Sequence, residues 1–205
     1  MYELAIYGGT FAPVHLGHLR AAELYLKELN PDRLLIIPTL IPPHKQITFE
    51  DNPTDRLNML RLAFETHPEY GKRIFISDYE LNSEPPSYTV NTLRHFTSPG
   101  THLTFLCGTD MFLTLHQWYR PAEIMSLCRV ALIKRSSPDA ETEKIIEQQT
   151  EMLRENFGAD IIILTSDPIE ISSSQIRNGD DGLRKKYLPP AVYNYIKERS
   201  LYVRK

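Results

Sequence analysis

Two stretches near opposite ends of the chain hold residues whose types and spacing suit phosphate chemistry. The first follows a short apolar run and reads Gly8-Gly9-Thr10-Phe11-Ala12-Pro13-Val14-His15-Leu16-Gly17-His18. A double glycine lets the backbone turn sharply and come close to a ligand. His15 and His18 fall on neighbouring positions of a first helical turn if a helix begins near His15. Backbone N–H groups at such a start are unsatisfied and the dipole favours negative charge, which makes a phosphate site. Gly17 leaves out a side chain where a triphosphate would pass. Plainer readings stay open: a glycine pair is a common turn after a strand, and His-x-x-His is also a surface pair or two metal ligands. The glycines match neither the Walker A pattern nor GxGxxG. The second stretch, Ile171-Ser172-Ser173-Ser174-Gln175-Ile176-Arg177, reads as a serine-rich N-cap opening a short helix with Arg177 one turn in.

These residues need elements to position them. Apolar runs recur at Leu4–Tyr7, Leu34–Ile37, Ile74–Ile76, Leu103–Cys107, Val130–Ile133 and Ile161–Leu164. They are apolar throughout rather than alternating, as strands buried on both faces of a parallel sheet are. Between them, Leu16 to Leu29, Thr54 to Phe64 and Glu141 to Phe157 carry helical spacing. A last helix is expected from Ala191 to Arg199, after Pro189 and Pro190. The pattern predicts an α/β fold: a doubly wound, Rossmann-like parallel sheet with helices on both faces and a small helical C-terminal part. In such sheets ligands bind beyond the carboxyl ends of the strands, where the first motif stands. The connection from Thr39 to Pro53, which carries His44 and Lys45, is long enough to be functional.

Length and composition narrow the class. At 205 residues the chain fits a single domain, 1–205, with the C-terminal helical part about 172–205 carrying the second motif. Its formal net charge of −3 lacks the basic footprint of a nucleic-acid binder. Cys107 and Cys128 form no CxxC pair, so a reducing compartment is expected. The start has no basic region before its short apolar run, and no stretch approaches a membrane span. A cytoplasmic protein without membrane or nucleic-acid partners is the expectation. Whether it forms a homo-oligomer stays open.

GGTFAPVHLGH closely resembles the first signature of the HxGH nucleotidyltransferases, and SSSQIR resembles their second, in the right order along the chain. Ile41-Pro42-Pro43-His44-Lys45, Pro86-Ser87-Tyr88-Thr89, Gly108-Thr109-Asp110, His116-Gln117-Trp118-Tyr119 and the ending Leu188-Pro189-Pro190-Ala191-Val192-Tyr193-Asn194-Tyr195-Ile196 are similar to bacterial nicotinate-nucleotide adenylyltransferases. One departure is Ala12, where that family usually has Asp. The resemblance implies transfer of AMP from ATP to nicotinate mononucleotide, giving nicotinate adenine dinucleotide and pyrophosphate.

It also implies roles. His18 would stabilise charge at the α-phosphate, His15 would meet the triphosphate, and Arg177 would bind the β- and γ-phosphates with its planar fork. Gly8, Gly9, Thr10, Phe11, Gly108, Asp110, Ser172, Ser173 and Ser174 would complete the ATP site. Lys45, His44, Tyr88, Thr89, Trp118 and Tyr119 would hold the mononucleotide, with Trp118 stacked on the ring. Mg²⁺ would enter through the phosphates, without ligands from protein side chains. By composition alone Trp118 would pack in the core, and Asp110 would cap a helix starting at Met111. Tyr7 and His44 stay undecided. The alternatives are the same chemistry on nicotinamide mononucleotide or phosphopantetheine, and an inactive nucleotide-binding regulator.

Overall fold

The computed structural model describes residues 1–41, 52–134, 139–164 and 167–203. Along the chain run β1 (Tyr2–Gly9), α1 (Leu16–Leu29), β2 (Arg33–Pro38), α2 (Pro53–Phe64), β3 (Ile74–Ile76), α3 (Thr89–Phe96), β4 (Thr101–Gly108) and α4 (Thr109–Thr114). Then follow α5 (Pro121–Leu127), β5 (Arg129–Ile133), α6 (Ala140–Phe157), β6 (Ile161–Leu164), α7 (Ser173–Asn178), α8 (Asp181–Tyr187) and α9 (Pro190–Glu198). The six strands form one sheet in the order β3-β2-β1-β4-β5-β6. Every neighbouring pair is parallel, with Ala5 beside Leu34 on one flank and beside Thr104 on the other. The chain reverses its direction of progress across the sheet between β1 and β4. That switch point is where a ligand crevice opens in such folds.

Alternation along each strand divides the apolar side chains between two cores. Ala5, Leu34, Ile36, Leu106, Ala131 and Ile133 face α1, α2 and α9, meeting Ala22, Tyr25, Leu60, Phe64, Val192 and Ile196. Leu4, Ile6, Phe105, Cys107, Val130 and Leu132 face the other way, meeting Val90, Leu93, Phe112, Ile124, Ile146 and Leu153. Burial on both faces is why the strands read as unbroken apolar runs. Most strands extend a residue or two past those runs. The helices α3, α5 and α8 are no longer than eight residues and were not among the helices expected from the sequence.

The C-terminal helices are tied to the first turn of α2. Asn52 caps that helix, accepting from the Thr54 N–H at 2.9 Å, and Pro53 opens it. Asp55 is buried. Its Oδ1 accepts from the Tyr195 hydroxyl at 2.7 Å and lies 3.3 Å from Arg199 Nη2. Asn58 donates to the same hydroxyl at 3.1 Å. Tyr195→Phe removes a donor from a buried carboxylate and should lower unfolding free energy by about 1–3 kcal/mol. Urea unfolding at neutral pH checks this; an unchanged midpoint and slope would show that Arg199 alone satisfies Asp55.

Candidate active site

Because the sheet is parallel, the loops after β1, β2 and β4 emerge along one edge. The loop after β1 carries the first motif. Gly8 and Gly9 are the last two residues of the strand, and the sharp turn comes later, at Phe11, whose φ is 50°. This corrects the expectation that the glycines make the turn. A Cβ on Gly9 would lie 3.0 Å from Phe11 Cζ, so glycine makes room for a ring folded back beneath the strand end. Phe11 is buried and meets Tyr7 and His18 edge-on, at 5.4 and 4.9 Å between centroids. Tyr7 is thereby a packing residue, which also touches Tyr25 at 5.5 Å.

His15 is the N-cap of α1 and His18 the third residue of the helix. The His15 backbone N–H donates to His18 Nδ1 at 3.2 Å. An accepting Nδ1 leaves Nε2 to carry the proton of the neutral His18 ring, which presets that nitrogen as a donor. The two rings stack at 3.7 Å, 27° apart. His15 is buried and its Nδ1 has no hydrogen-bond partner among the described residues. Burial pulls its pKa down to about 4, so the ring is neutral at physiological pH. Gly17 has a different reason from the one expected. A Cβ there would lie 2.9 Å from the Ile169 carbonyl and 3.0 Å from His15 Nδ1, so glycine admits the 169–171 backbone against the helix start.

The second motif closes on the first. Ser172 caps α7 through a capping box, its N–H donating to Gln175 Oε1 at 2.8 Å and its Oγ accepting from Gln175 N at 3.2 Å. The Ser173 hydroxyl donates to the Pro13 carbonyl at 2.9 Å. Arg177 donates to the Ala12 carbonyl at 2.6 Å and to Ser174 Oγ at 3.0 Å. Ala12 itself is buried. Arg184 donates to the carbonyls of Ile176, Arg177 and Tyr202 at 3.2, 2.9 and 3.0 Å, securing α7 from behind.

After β4, Gly108 is the N-cap of α4 and the helix starts at Thr109. Asp110 therefore sits in the first turn and is not the cap, contrary to the composition-based reading. It is exposed there, and a Cβ on Gly108 would meet nothing within 4 Å. Tyr88, the N-cap of α3, brings its ring within 4.5 Å of the Tyr119 ring, so Tyr88 and Thr89 stand beside Trp118 and Tyr119. Trp118 is half-buried, donating to Thr114 Oγ1 at 3.2 Å and meeting Phe105 edge-on at 5.9 Å. Bidentate bonds from Arg94 to Glu123, 2.5 and 2.7 Å, join α3 to α5 below this pair. His44 and Lys45 lie outside the described residues.

Sequence reasoning missed Arg56, a large and fully buried side chain. Its guanidinium donates to the carbonyls of Thr10 at 2.9 Å, Thr39 at 2.6 Å and Leu40 at 3.2 Å. Its charge favours the ionised form of buried Glu80, whose pKa is nevertheless raised by burial; Glu80 also accepts from Thr92 at 2.6 Å. The available signal was a cation on the apolar face of α2, sharing it with Met59, Leu60 and Ala63.

The His15 shift has a thermodynamic consequence. Its folded pKa lies below its unfolded value, so between pH 6.5 and about 4 the unfolded chain binds the extra proton. Stability should fall as pH drops through that window, by about 3 kcal/mol at ~1.4 kcal/mol per pH unit. Urea unfolding of the wild type and His15→Asn from pH 7 to 4 isolates the difference. Parallel curves for the two proteins would show that His15 protonates as readily in the folded state.

The cytidylyltransferase-like family model matches residues 6–179. A probable nicotinate-nucleotide adenylyltransferase of Caldicellulosiruptor saccharolyticus is 32% identical over 203 residues, 98% of each chain. One of Clostridium tetani is 34% identical over 208 residues, covering 98% of this chain and 100% of its own. In fold the chain is similar to Plasmodium falciparum nicotinic acid mononucleotide adenylyltransferase complexed with NaAD, with a TM-score of 0.74 at 21% identity and 98% of each chain covered. With both motifs in contact and a likeness that runs the length of the relatives, the chain belongs to the bacterial-type nicotinate-nucleotide adenylyltransferase family of the HxGH nucleotidyltransferases.

Proposed function

We propose that the protein transfers AMP from ATP to nicotinate mononucleotide, forming nicotinate adenine dinucleotide and pyrophosphate, with 1–205 acting as one unit. The observation that carries this reading is the meeting of the two motifs: Arg177 and Ser173 bond the carbonyls of Ala12 and Pro13 just ahead of the α1 N-terminus. A phosphate oxygen of the mononucleotide attacks the α-phosphorus of ATP in line. The bond from that phosphorus to the bridging oxygen breaks, and its electron pair leaves with pyrophosphate. No side-chain nucleophile is required, so catalysis consists of positioning and charge stabilisation.

His18 donates from Nε2 to the α-phosphate as charge builds there. His15, neutral, meets the triphosphate by hydrogen bonding rather than as a cation. Arg177 supplies the positive charge for the β- and γ-phosphates. A guanidinium has five N–H donors, enough to hold the loop and phosphate oxygens together. Gly8, Gly9, Thr10, Phe11, Gly108, Asp110 and Ser172 to Ser174 line the ATP side, and Tyr88, Thr89, Trp118 and Tyr119 the mononucleotide side, to which the sequence adds His44 and Lys45 from outside the described residues. Among the described residues, no three His, Cys, Asp or Glu side chains gather where they could hold a metal. The motifs offer nitrogens, hydroxyls and amides, a donor set for phosphate rather than for a hard cation. Mg²⁺ would therefore be held by ATP oxygens and water, where it offsets phosphate charge. Among the described residues no helix is long and apolar enough to cross a membrane, and the substrates are small phosphorylated molecules.

Pyrophosphate release with ATP, Mg²⁺ and a panel of acceptors tests the reading. His18→Ala should lower kcat by roughly 10²–10³, the cost of losing one transition-state donor. Near-normal turnover by folded His18→Ala protein would remove His18 from the mechanism. Acceptor choice tests the substrate. A ring pocket offering only N–H donors, as the backbone at Thr89 and Tyr119 would, satisfies a carboxylate but leaves an amide NH₂ facing a donor. That mismatch costs about 1–3 kcal/mol, or roughly tenfold to hundredfold in kcat/KM. Nicotinate mononucleotide should therefore outperform nicotinamide mononucleotide by that margin. Equal values, or better use of phosphopantetheine, would assign a different acceptor.

A further inference from the structure

We propose that Arg56 is a positioning residue for nucleotidyl transfer, holding the backbone of the ATP loop and of the loop after β2 in one fixed relation. The inference rests on the adenylyltransferase reading above. Arg56 is fully buried, and its two terminal nitrogens reach three peptide carbonyls on two different loops. A peptide unit is planar and trans, so its N–H points opposite to its carbonyl. Engaging the Thr10 carbonyl therefore turns the Phe11 N–H away from α2, toward the side where the phosphates are placed. The second loop shows the same geometry with its partner visible. The Thr39 carbonyl accepts from Arg56 at 2.6 Å, and the opposite N–H, that of Leu40, donates to Ser87 Oγ at 3.1 Å. The Ser87 N–H in turn donates to the Ile41 carbonyl at 3.1 Å. Ser87 precedes Tyr88 and Thr89, so a chain of peptide units runs from the ATP loop through Arg56 to the acceptor segment.

The planar guanidinium suits this task. Nη1 bridges Thr10 and Thr39 while Nη2 takes Leu40, a fork that a lysine ammonium on a shorter reach cannot reproduce. A purely structural arginine would make the same bonds, but its loss would act on stability alone. The test compares the wild type, Arg56→Lys and Ser87→Ala, each assayed well below its own melting temperature. For Arg56→Lys, KM should rise about tenfold for both ATP and the mononucleotide, within the roughly hundredfold that ~1 Å of misplacement can cost. Calorimetric titration with Mg²⁺-ATP alone should show a matching loss of affinity. For Ser87→Ala, KM should rise about threefold or more for the mononucleotide only, as expected when one of two linked binding segments is loosened.

A lower melting temperature with both KM values and ATP affinity unchanged would overturn the proposal and make Arg56 a stability residue. Should Arg56→Lys fail to fold, Ser87→Ala decides: a selective rise for the mononucleotide supports the linked loops, and unchanged constants overturn them. A wild type that binds ATP but transfers nothing would sink the adenylyltransferase reading alone, because the ATP titration of Arg56→Lys still tests the clamp.

Discussion

The loop after β1 is held by its carbonyls. Thr10 is bonded by Arg56, Ala12 by Arg177 and Pro13 by Ser173. Three side chains from two distant elements thus occupy the acceptors of one short stretch, and the N–H of each bonded peptide unit, where it has one, faces the other way. The stretch is not intrinsically comfortable: Phe11 sits at φ 50°, a conformation costing a non-glycine residue on the order of 1–3 kcal/mol. Burial of its ring contributes roughly 1.5–3 kcal/mol in the opposite direction. Each charge-assisted bond from the arginines adds about 1.5–3 kcal/mol more. The conformation is therefore over-determined by its surroundings.

The histidines follow from the same constraint. Their rings stack at 3.7 Å. Two like charges that close would repel by about 4–5 kcal/mol even at an effective dielectric of ~20. With His15 buried and neutral that repulsion does not arise, and the proposed reaction takes its positive charge from Arg177 on α7. The division makes chemical sense. In the proposed reaction, a hydrogen-bond donor at the α-phosphate gains strength as charge develops there, whereas a fixed cation would bind the ground state as well.

Much of this was legible in the residues. The unbroken apolar runs marked strands covered on both faces, and the order of the two motifs placed one at the first strand end and the other near the C-terminus. The N-cap at Ser172 was visible as a run of serines, although the return bond from Gln175 was not. What was not legible depended on contacts between distant segments. Gly9 reads as a turn glycine, yet it is glycine because Phe11 folds back against it. Gly17 reads as space for a ligand, yet the Ile169 carbonyl lies where a side chain would go. Asp110 reads as a cap only if the helix starts one residue after it, and the strand end at Gly108 starts that helix earlier. Arg56 reads as one polar residue on an amphipathic helix, because nothing local reveals three carbonyls converging on it.

The placement of Arg177 shows why the C-terminal part cannot be an independent appendage to the catalytic sheet. A helix as short as Ser173–Asn178 has almost no stability of its own. Its geometry is imposed by the capping box, by Ile176 buried in the core shared with α1, and by Arg184 on its last carbonyls. Arg184 also bonds the Tyr202 carbonyl beyond α9, and α9 is fastened to α2 through Tyr195 and Asp55. Asp55 and Arg56 are successive residues of one helical turn. The first secures the segment that carries Arg177, and the second grips the loop that Arg177 must reach. Both sequence motifs are thus referenced to the first turn of α2, an element that contributes no expected ligand of its own.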